Sequence, residues 1–445
     1  MKTRLAVLTL TLCLGDAFAG EPPPPSPGAL MLPDALRAAA AGSQASVAAG
    51  LDLRAAREGT ARARASYWPT LSVSGNWQAR DNEIVAIFGE FAVPTTQKNF
   101  FTAEASLTEL LWDGGRRSAA LDASRGSEEA TSLKGRASVQ AAQIAALETY
   151  LHVLALKAER RVVDQRVASL GEHLRIARDL YDQGLVARND LLGTEVRLRT
   201  VKDQTGAIAD GIAVATRTLG RLTGLEDATL VLPEDLPAPP ALPGDLASLK
   251  RLAASSNPRL AALRARLRVD DASTSARKGE SWPSFYAQAA HTYQQNDYLA
   301  YPNANVFFVG ASWEVWENGA RKAAVRQSEI AADKTRSEIG DVERALDIEI
   351  DEAWRGFAQA RRQAETARTN VASAEENLRI EEDQYKAGLA RTIDVLDAES
   401  VLAESRFSLV NEHYTAYLKE GVLAAAAGLD LPSTFAGGAP APEGR

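Results

Sequence analysis

Four stretches of the chain alternate apolar and polar residues with a period of two, which is the pattern of β-strands. Two of them lie between Trp68 and Trp112, and two lie between Trp282 and Trp316. The pattern predicts two β-hairpins, at about 70–111 and about 284–315. Each run has about 9–11 residues, the length of a tilted strand that crosses a bilayer. The alternating apolar positions are Leu71, Val73, Gly75, Trp77, Phe101, Ala103, Ala105, Leu107, Phe285, Ala287, Ala289, Tyr293, Phe307, Val309, Ala311 and Trp313.

The polar positions and the tryptophans distinguish two interpretations of these strands. A soluble two-layer sheet and a membrane barrel both show such alternation. Six of the seven tryptophans lie in or at the ends of the predicted strands, as in an aromatic girdle at a membrane interface. The polar positions are small and neutral with an occasional acid, such as Glu104 or Glu314, which suits a water-filled lumen. We therefore predict outer-membrane strands, whose interface aromatics are Trp68, Trp112, Trp282 and Trp316.

Four strands are too few to close a barrel. Open sheet edges are not tolerated in lipid, and about eight strands are the minimum for a filled barrel. The barrel must therefore be shared between subunits, so the pattern predicts an obligate oligomer.

Two long stretches instead carry apolar or small residues at alternating steps of three and four, as in a coiled coil. They run from Gly115 to Gly184 and from Gly319 to Gly388, and a continuous helix of that length would extend about 100 Å. The two closing glycines suit the left-handed turn at which a chain reverses. Shorter helices are predicted before each Trp-Pro, at about 34–66 and about 246–280.

The two halves of the chain resemble each other. Trp112 and Trp316, Tyr181 and Tyr385, and Asp190 and Asp394 are each 204 residues apart. This spacing predicts two repeats, 34–230 and 246–430, with helical tips near 184 and 388. A Pro-rich linker at 231–245 joins them, and tails follow at 20–33 and 431–445. Of these, we expect residues 20–33 and 436–445 to be disordered. The first repeat has ten extra residues between its strands, which we expect to form a surface loop.

Composition narrows the possible functions. The 445 residues are 45% hydrophobic with a net charge of −8, which argues against a nucleic-acid partner. Residues 1–19 have the charged start, apolar stretch and Ala-Phe-Ala ending of a secretory signal peptide, and they contain the only cysteine, Cys13. The remaining chain therefore offers no disulfide and no cysteine-ligated zinc. Its histidines lack metal-ligand spacing, so we expect no metal, no cofactor and no enzymatic activity.

From about 34 to 430, the sequence resembles the TolC-like outer-membrane factor family. The resemblance depends on the paired Trp-Pro strand starts, on Leu-Leu-Trp-Asp-Gly-Gly-Arg-Arg at 110–117, on the Tyr-x-x-Gly-Leu tips and on Thr-Ile-Asp-Val-Leu-Asp-Ala at 392–398. It implies an α+β membrane protein: a homotrimer with a 12-stranded transmembrane β-barrel, four strands per chain, continued by a periplasmic α-helical barrel. It also implies an export duct for efflux or type I secretion, coupled through a periplasmic adaptor protein to an inner-membrane transporter.

Three acidic residues after the tips are candidates for a periplasmic gate. Asp394 and Asp397 are three residues apart and share a helix face, and Asp190 corresponds to Asp394 in the first repeat. From spacing alone, the alternative is a solvated helix end whose acids suit the helix dipole. The resemblance favours rings of carboxylates around a three-fold axis, which would attract cations.

The tips themselves have two interpretations. Gly184-Leu185 and Gly388-Leu389 could be turns that each end in a buried leucine, or exposed apolar knobs that dock the adaptor. We favour docking because a residue just beyond a tip glycine has little core to reach.

A soluble periplasmic coiled-coil adaptor is the main alternative function. It would share the signal peptide and the helical hairpins, but it would not need strands of bilayer length framed by tryptophan.

Overall fold

The computed structural model describes residues 29–184, 186–226, 231–234, 236 and 244–436. The expected signal peptide, Leu185, and much of the expected linker and C-terminal tail lie outside these residues. The helices are α1 Leu32–Gly42, α2 Gln44–Ala65, α3 Arg116–Asp182, α4 Arg188–Thr223, α5 Leu246–Ser256, α6 Pro258–Gly279, α7 Ala320–Lys386, α8 Thr392–Ala426 and α9 Leu431–Phe435. The strands are β1 Thr70–Ala79, β2 Ile84–Phe88, β3 Phe91–Thr96, β4 Asn99–Trp112, β5 Ser284–Gln294 and β6 Asn303–Ser312.

Four of the strands form one antiparallel sheet in the order β1-β4-β5-β6, so β1 and β6 are its edges. The register places apolar residues opposite one another, as with Leu71 and Leu107, and places Ser72 opposite Ser106, with their hydroxyls 2.8 Å apart. Because side chains alternate across a strand, the sheet has an apolar face and a more polar face.

Each face of the sheet has exceptions: some polar residues lie on the apolar face, and some aromatic residues lie on the more polar face. His291 lies on the apolar face, where its Nδ1 is 2.8 Å from Oδ1 of Asn305 on β6. On the more polar face, the rings of Tyr286 and Phe308 meet edge to face at 6.0 Å. The Tyr286 ring also covers Gly310, where a Cβ would be 2.7 Å from it, so the backbone there can be approached only because the residue is glycine.

The ten extra residues of the first half form a second hairpin rather than an irregular loop. β2 and β3 pair antiparallel around Gly89, whose φ is 62°. Their sequences, Ile-Val-Ala-Ile-Phe and Phe-Ala-Val, are rich in β-formers, which explains why they pair. Asn296, in the loop between β5 and β6, donates to the Thr95 carbonyl at 2.9 Å and holds this hairpin to that loop.

The two long helices, α3 and α7, have 67 residues each and so extend about 100 Å. Each begins after a left-handed glycine, Gly115 or Gly319, and is followed by another, Gly184 or Gly388. In α7, the positions of the predicted apolar stripe are all buried or half-buried. They are Val342, Leu346, Ile350, Ala353, Phe357, Ala360, Ala364, Ala367, Val371, Ala374 and Leu378. Among the described residues, none of the helices is long and apolar enough to span a membrane.

The short helical segments differ from the sequence prediction, because each consists of two helices. Ser43 ends α1 and caps α2, accepting a hydrogen bond from the Ser46 amide at 3.2 Å. Asn257 does the same between α5 and α6, accepting from the Arg259 and Leu260 amides. Ser43 is therefore the start signal of the second helix in the first half, as Asn257 is in the second half.

The largest core cluster lies at the middle of α3, where Leu147, Tyr150 and Leu154 are fully buried. Both ends of the described chain pack against it, and this corrects the expectation that the N-terminal tail is disordered as far as residue 33. Leu30 is buried, and its carbonyl accepts a hydrogen bond from Tyr150 Oη at 2.7 Å. At the other end, Leu431 is fully buried as the first residue of α9, so residues 431–435 of the expected C-terminal tail form a helix.

Candidate functional site

The second tip is a five-residue turn between α7 and α8. Gly388 has a φ of 74°, and the Leu389 amide donates to the Gln384 carbonyl at 2.9 Å, which closes the end of α7. The Leu389 side chain is 81% exposed, so it is not the buried leucine of the alternative interpretation. At the first tip, Gly184 has a φ of 72° and is also exposed, while Leu185 lies outside the described residues.

Asp394 lies in the first turn of α8 and is bound by Arg391, the residue that precedes this helix. The Arg391 backbone amide donates to Oδ2 at 2.9 Å, and the guanidinium donates to both carboxylate oxygens at 3.2 and 3.0 Å. These hydrogen bonds from Arg391 lower the pKa of Asp394. Asp397, one turn further along α8, is exposed.

The first tip lacks this arrangement. Asp190 occupies the equivalent place in the first turn of α4, but the residue before this helix is Ala187, whose side chain cannot donate a hydrogen bond. The second tip therefore has both an arginine, Arg391, and a second acid, Asp397, that the first tip lacks. Sequence reasoning missed Arg391, although its replacement by Ala187 at the same 204-residue spacing is visible.

Behind the second tip lies a small buried cluster. Thr392 and Tyr385 join the end of α7 to the start of α8, with their hydroxyls 3.3 Å apart. The ring of His173, on α3, lies 4.9 Å from the Tyr385 ring. His173 is buried, its Nε2 has no hydrogen-bond partner in the described structure, and burial lowers its pKa. It is thus a packing residue, and it ties the first half of the chain to the second tip.

A buried ion pair also joins the two halves. Arg166 on α3 donates to both oxygens of Glu399 on α8, at 2.8 and 3.1 Å. The two side chains are only 11% and 7% exposed. The residue equivalent to Glu399 in the first half, Glu195, instead pairs with Arg178 on the protein surface. This ion pair therefore connects α3 to α8 near the tips, and nothing in the sequence periodicity indicated it.

The four tryptophans predicted for the membrane interface lie at the strand ends nearest the helices. Trp68 and Trp282 precede β1 and β5, Trp112 ends β4, and Trp316 follows β6. The Trp112 and Trp282 rings meet edge to face at 6.3 Å. All four rings are exposed in the single chain, as an aromatic girdle requires.

The described residues contain no group of His, Asp and Glu that could hold a metal ion. The site consists of a sheet with an apolar face, two very long helices and two exposed tips, an arrangement that suits an elongated membrane-anchored conduit.

Comparisons with known proteins agree with this class. The outer membrane efflux protein family model matches residues 35–225 and again residues 249–429. The chain belongs to this family of outer-membrane transport proteins, which confirms the resemblance noted in the sequence. The protein is therefore located in the bacterial outer membrane, with its helical part in the periplasm.

Individual relatives are distant. The chain is 24% identical over 277 residues to the outer membrane efflux protein BepC of Brucella suis, a match covering 60% of this chain and 59% of BepC. It is 23% identical over 284 residues to the alkaline protease secretion protein AprF of Pseudomonas aeruginosa, covering 62% and 58%. It thus spans less than two thirds of the length of these curated relatives. The outer membrane protein VceC of Vibrio cholerae has the same fold, with a TM-score of 0.75, 17% identity and coverage of 90% and 96%.

Proposed function

We propose that this protein is a passive export duct, the outer-membrane channel of an efflux or type I secretion system. The observation that supports it most directly is the sheet, which exposes an apolar face and leaves both edge strands unpaired within one chain. Val73, at 76% exposure, and Phe307, at 73%, would face water on a monomer. Lipid would cover this face, and pairing between neighbouring chains would satisfy the edges.

The same edges favour a homotrimer. If β1 of one chain pairs with β6 of the next, three copies close a barrel of twelve strands, which exceeds the minimum of about eight and leaves an aqueous lumen. The helices α3 and α7 would continue this barrel as an α-helical duct of about 100 Å through the periplasm. The double match to the family model favours two internal repeats in each chain.

The tips are the proposed docking surface for a periplasmic adaptor protein, which would couple the duct to an inner-membrane transporter. Leu389 supports this role because a leucine that is 81% exposed at the end of a helical hairpin contributes little to packing within its own chain. Gly388 and Gly184 shape the turns, and we assign Leu185 the same role as Leu389. The secretion role of AprF and the efflux role of BepC are the two kinds of export considered for this chain.

The gate is proposed at Asp394 and Asp397, with Asp190 in a lesser role. With three-fold symmetry, the first two would form two rings of carboxylates at the periplasmic mouth. Arg391 compensates the charge of Asp394 within each chain, so we expect Asp397 to attract cations more strongly.

Export from whole cells tests the proposal. In a strain that lacks the gene, drug accumulation or protein secretion is measured with the wild-type protein or with Leu389→Asp. Wild type should restore export, and Leu389→Asp should form trimers in the outer membrane without restoring it. Leu192→Asp, at another exposed leucine just beyond the first tip, controls for the added charge. Equal export by wild type and Leu389→Asp would remove the docking role, and no export by either would contradict the duct.

A soluble periplasmic adaptor was the main alternative. Nothing in the fold favours it, because its sheet would present a wide apolar face to water.

A further inference from the structure

A basic cup lies where the second half of the sheet meets the helices. It has a volume of about 600 Å³ and lies between the end of α6, the residues after β6 and the first turns of α7. Four basic side chains and one acidic one line it, together with Val315, Trp316 and Val325. The basic residues are Lys278, Arg321, Lys322 and Arg326. We call this surface the basic cup.

Two of these charges are already compensated. The Lys278 ammonium lies 2.9 Å from Glu329, and Arg321 lies 3.2 Å from Glu317. Arg321 also donates to the Glu314 carbonyl at 2.8 Å.

Lys322 and Arg326 are different. Both are exposed, and neither forms an ion pair with a carboxylate of the described structure. They are four residues apart on α7, so they lie on one face of the helix, where like charges repel each other. An anion between them would remove that repulsion.

In the proposed membrane orientation, the cup lies at the depth of the membrane boundary. Trp316 is 81% exposed beside it, and Trp313, at the end of β6, donates to the Ser281 carbonyl at 3.3 Å on the same side. Tryptophan and basic residues occur together at the headgroup level of bilayers, where the first provides the amphipathic ring and the second the charge for lipid phosphate. The helical part is periplasmic, so this level is the periplasmic leaflet.

The first half of the chain provides an internal comparison. Ser118 and Asp122 stand 204 residues before Lys322 and Arg326, and Asp122 pairs with Arg125 at 3.3 Å. The basic cup is therefore not a requirement of the helix start, because the equivalent start is built without it.

We propose that the basic cup binds the phosphate of an anionic phospholipid headgroup, such as phosphatidylglycerol, in the periplasmic leaflet. Lys322 and Arg326 would contact the phosphate, and Trp316 would pack beside the glycerol and upper acyl region. This inference rests on the membrane orientation of the proposed duct.

Lipid binding to the full-length trimer in detergent tests the site. Phosphatidylglycerol, phosphatidylethanolamine and inorganic phosphate are titrated separately, and bound lipid is counted by native mass spectrometry. The variant Lys322→Gln with Arg326→Gln removes both free charges. The variant Lys334→Gln with Arg344→Gln removes two charges from exposed positions further along α7 and is the matched control.

Wild type and the control variant should bind phosphatidylglycerol equally and in preference to phosphatidylethanolamine. The double variant should bind it about 30-fold more weakly, as expected for the loss of two basic groups near an anionic surface. Equal binding by the double variant, or phosphatidylethanolamine binding as tight as phosphatidylglycerol, would overturn the proposal. Inorganic phosphate competing at the same concentration as the lipid would show that the cup recognises a free anion, and would overturn it as well.

Conductance separates this inference from the duct proposal. All variants should form trimers and conduct in planar bilayers, because none of these substitutions lies in a strand. If the double variant binds phosphatidylglycerol as wild type does and both proteins conduct, the lipid site is wrong and the duct proposal stands. If the wild type does not conduct, the duct proposal fails independently of the lipid result.

Discussion

Replacing Glu399 by glutamine should loosen the contact between α3 and α8 near the tips. The substitution keeps the size of the side chain but removes the charge that faces Arg166, whose guanidinium is only 11% exposed. Arg166 donates two hydrogen bonds to the Glu399 carboxylate, at 2.8 and 3.1 Å, and the substitution weakens both because the glutamine amide has only one acceptor oxygen and no charge. The result is an arginine charge buried without a compensating partner.

The expected cost follows from this burial. Removing one member of a buried ion pair costs about 3–5 kcal/mol, and the remaining amide oxygen favours the lower end, about 3 kcal/mol. Replacing both members, Glu399→Leu with Arg166→Met, should be close to neutral because no charge is then left buried. Glu195→Gln is the matched control, since its partner Arg178 is 56% exposed, and an exposed pair contributes less than about 1 kcal/mol.

Hydrogen exchange measures the effect locally. In the purified trimer, amide exchange in the first turns of α8 should be about 100-fold faster in Glu399→Gln than in wild type, because about 3 kcal/mol of opening free energy is lost. The Glu195→Gln and double variants should exchange nearly as wild type. The reasoning would be refuted if Glu399→Gln matched wild type, or if Glu195→Gln had an equally large effect.

Three further predictions concern the strands, the gate and pH. Ala105→Arg should prevent membrane assembly, because arginine at the bilayer midplane of a lipid face costs about 2–4 kcal/mol, whereas Ser106→Arg should assemble and alter conductance. If membrane fractions contained Ala105→Arg but not Ser106→Arg, the assignment of the lipid face and the lumen face would be inverted. Asp394→Ala with Asp397→Ala should weaken channel block by multivalent cations in bilayer recordings, and an unchanged block would place the gate elsewhere. Burial lowers the pKa of His173, so local opening favours its protonation. The protection of the tip amides, corrected for the intrinsic pH dependence of exchange, should therefore fall below pH about 6.5 in wild type but not in His173→Phe, and an equal loss in both would exclude His173.

Local patterns were the part of this fold that the sequence predicted well. The alternation around Val73 and Ala105 locates the strands because the period of two is a property of each strand alone. The glycines at 184 and 388 mark the ends of the long helices because few other residues adopt their left-handed conformation. The break at Ser43 was missed because an apolar stripe continues through a capped junction, although the serine itself was a signal.

Long-range contacts were the part that could not be predicted. Arg166 and Glu399 lie 233 residues apart, and no sequence pattern around either residue indicates that they form an ion pair. The helix α9 was not predicted because its five residues carry too little pattern, and its stability comes from Leu431 packing into the core of α3. The role of Arg391 depends on hydrogen bonds at the tip, which spacing alone could not distinguish from an ordinary surface charge.

Single-channel recording from the purified protein in planar bilayers tests the central claim most directly. An export duct predicts a detergent-stable trimer that inserts from one side and produces uniform conductance steps, each from one closed barrel. A protein that stays monomeric, fractionates with the soluble periplasm and adds no conductance would contradict the account, and the sheet would then need another cover for its apolar face.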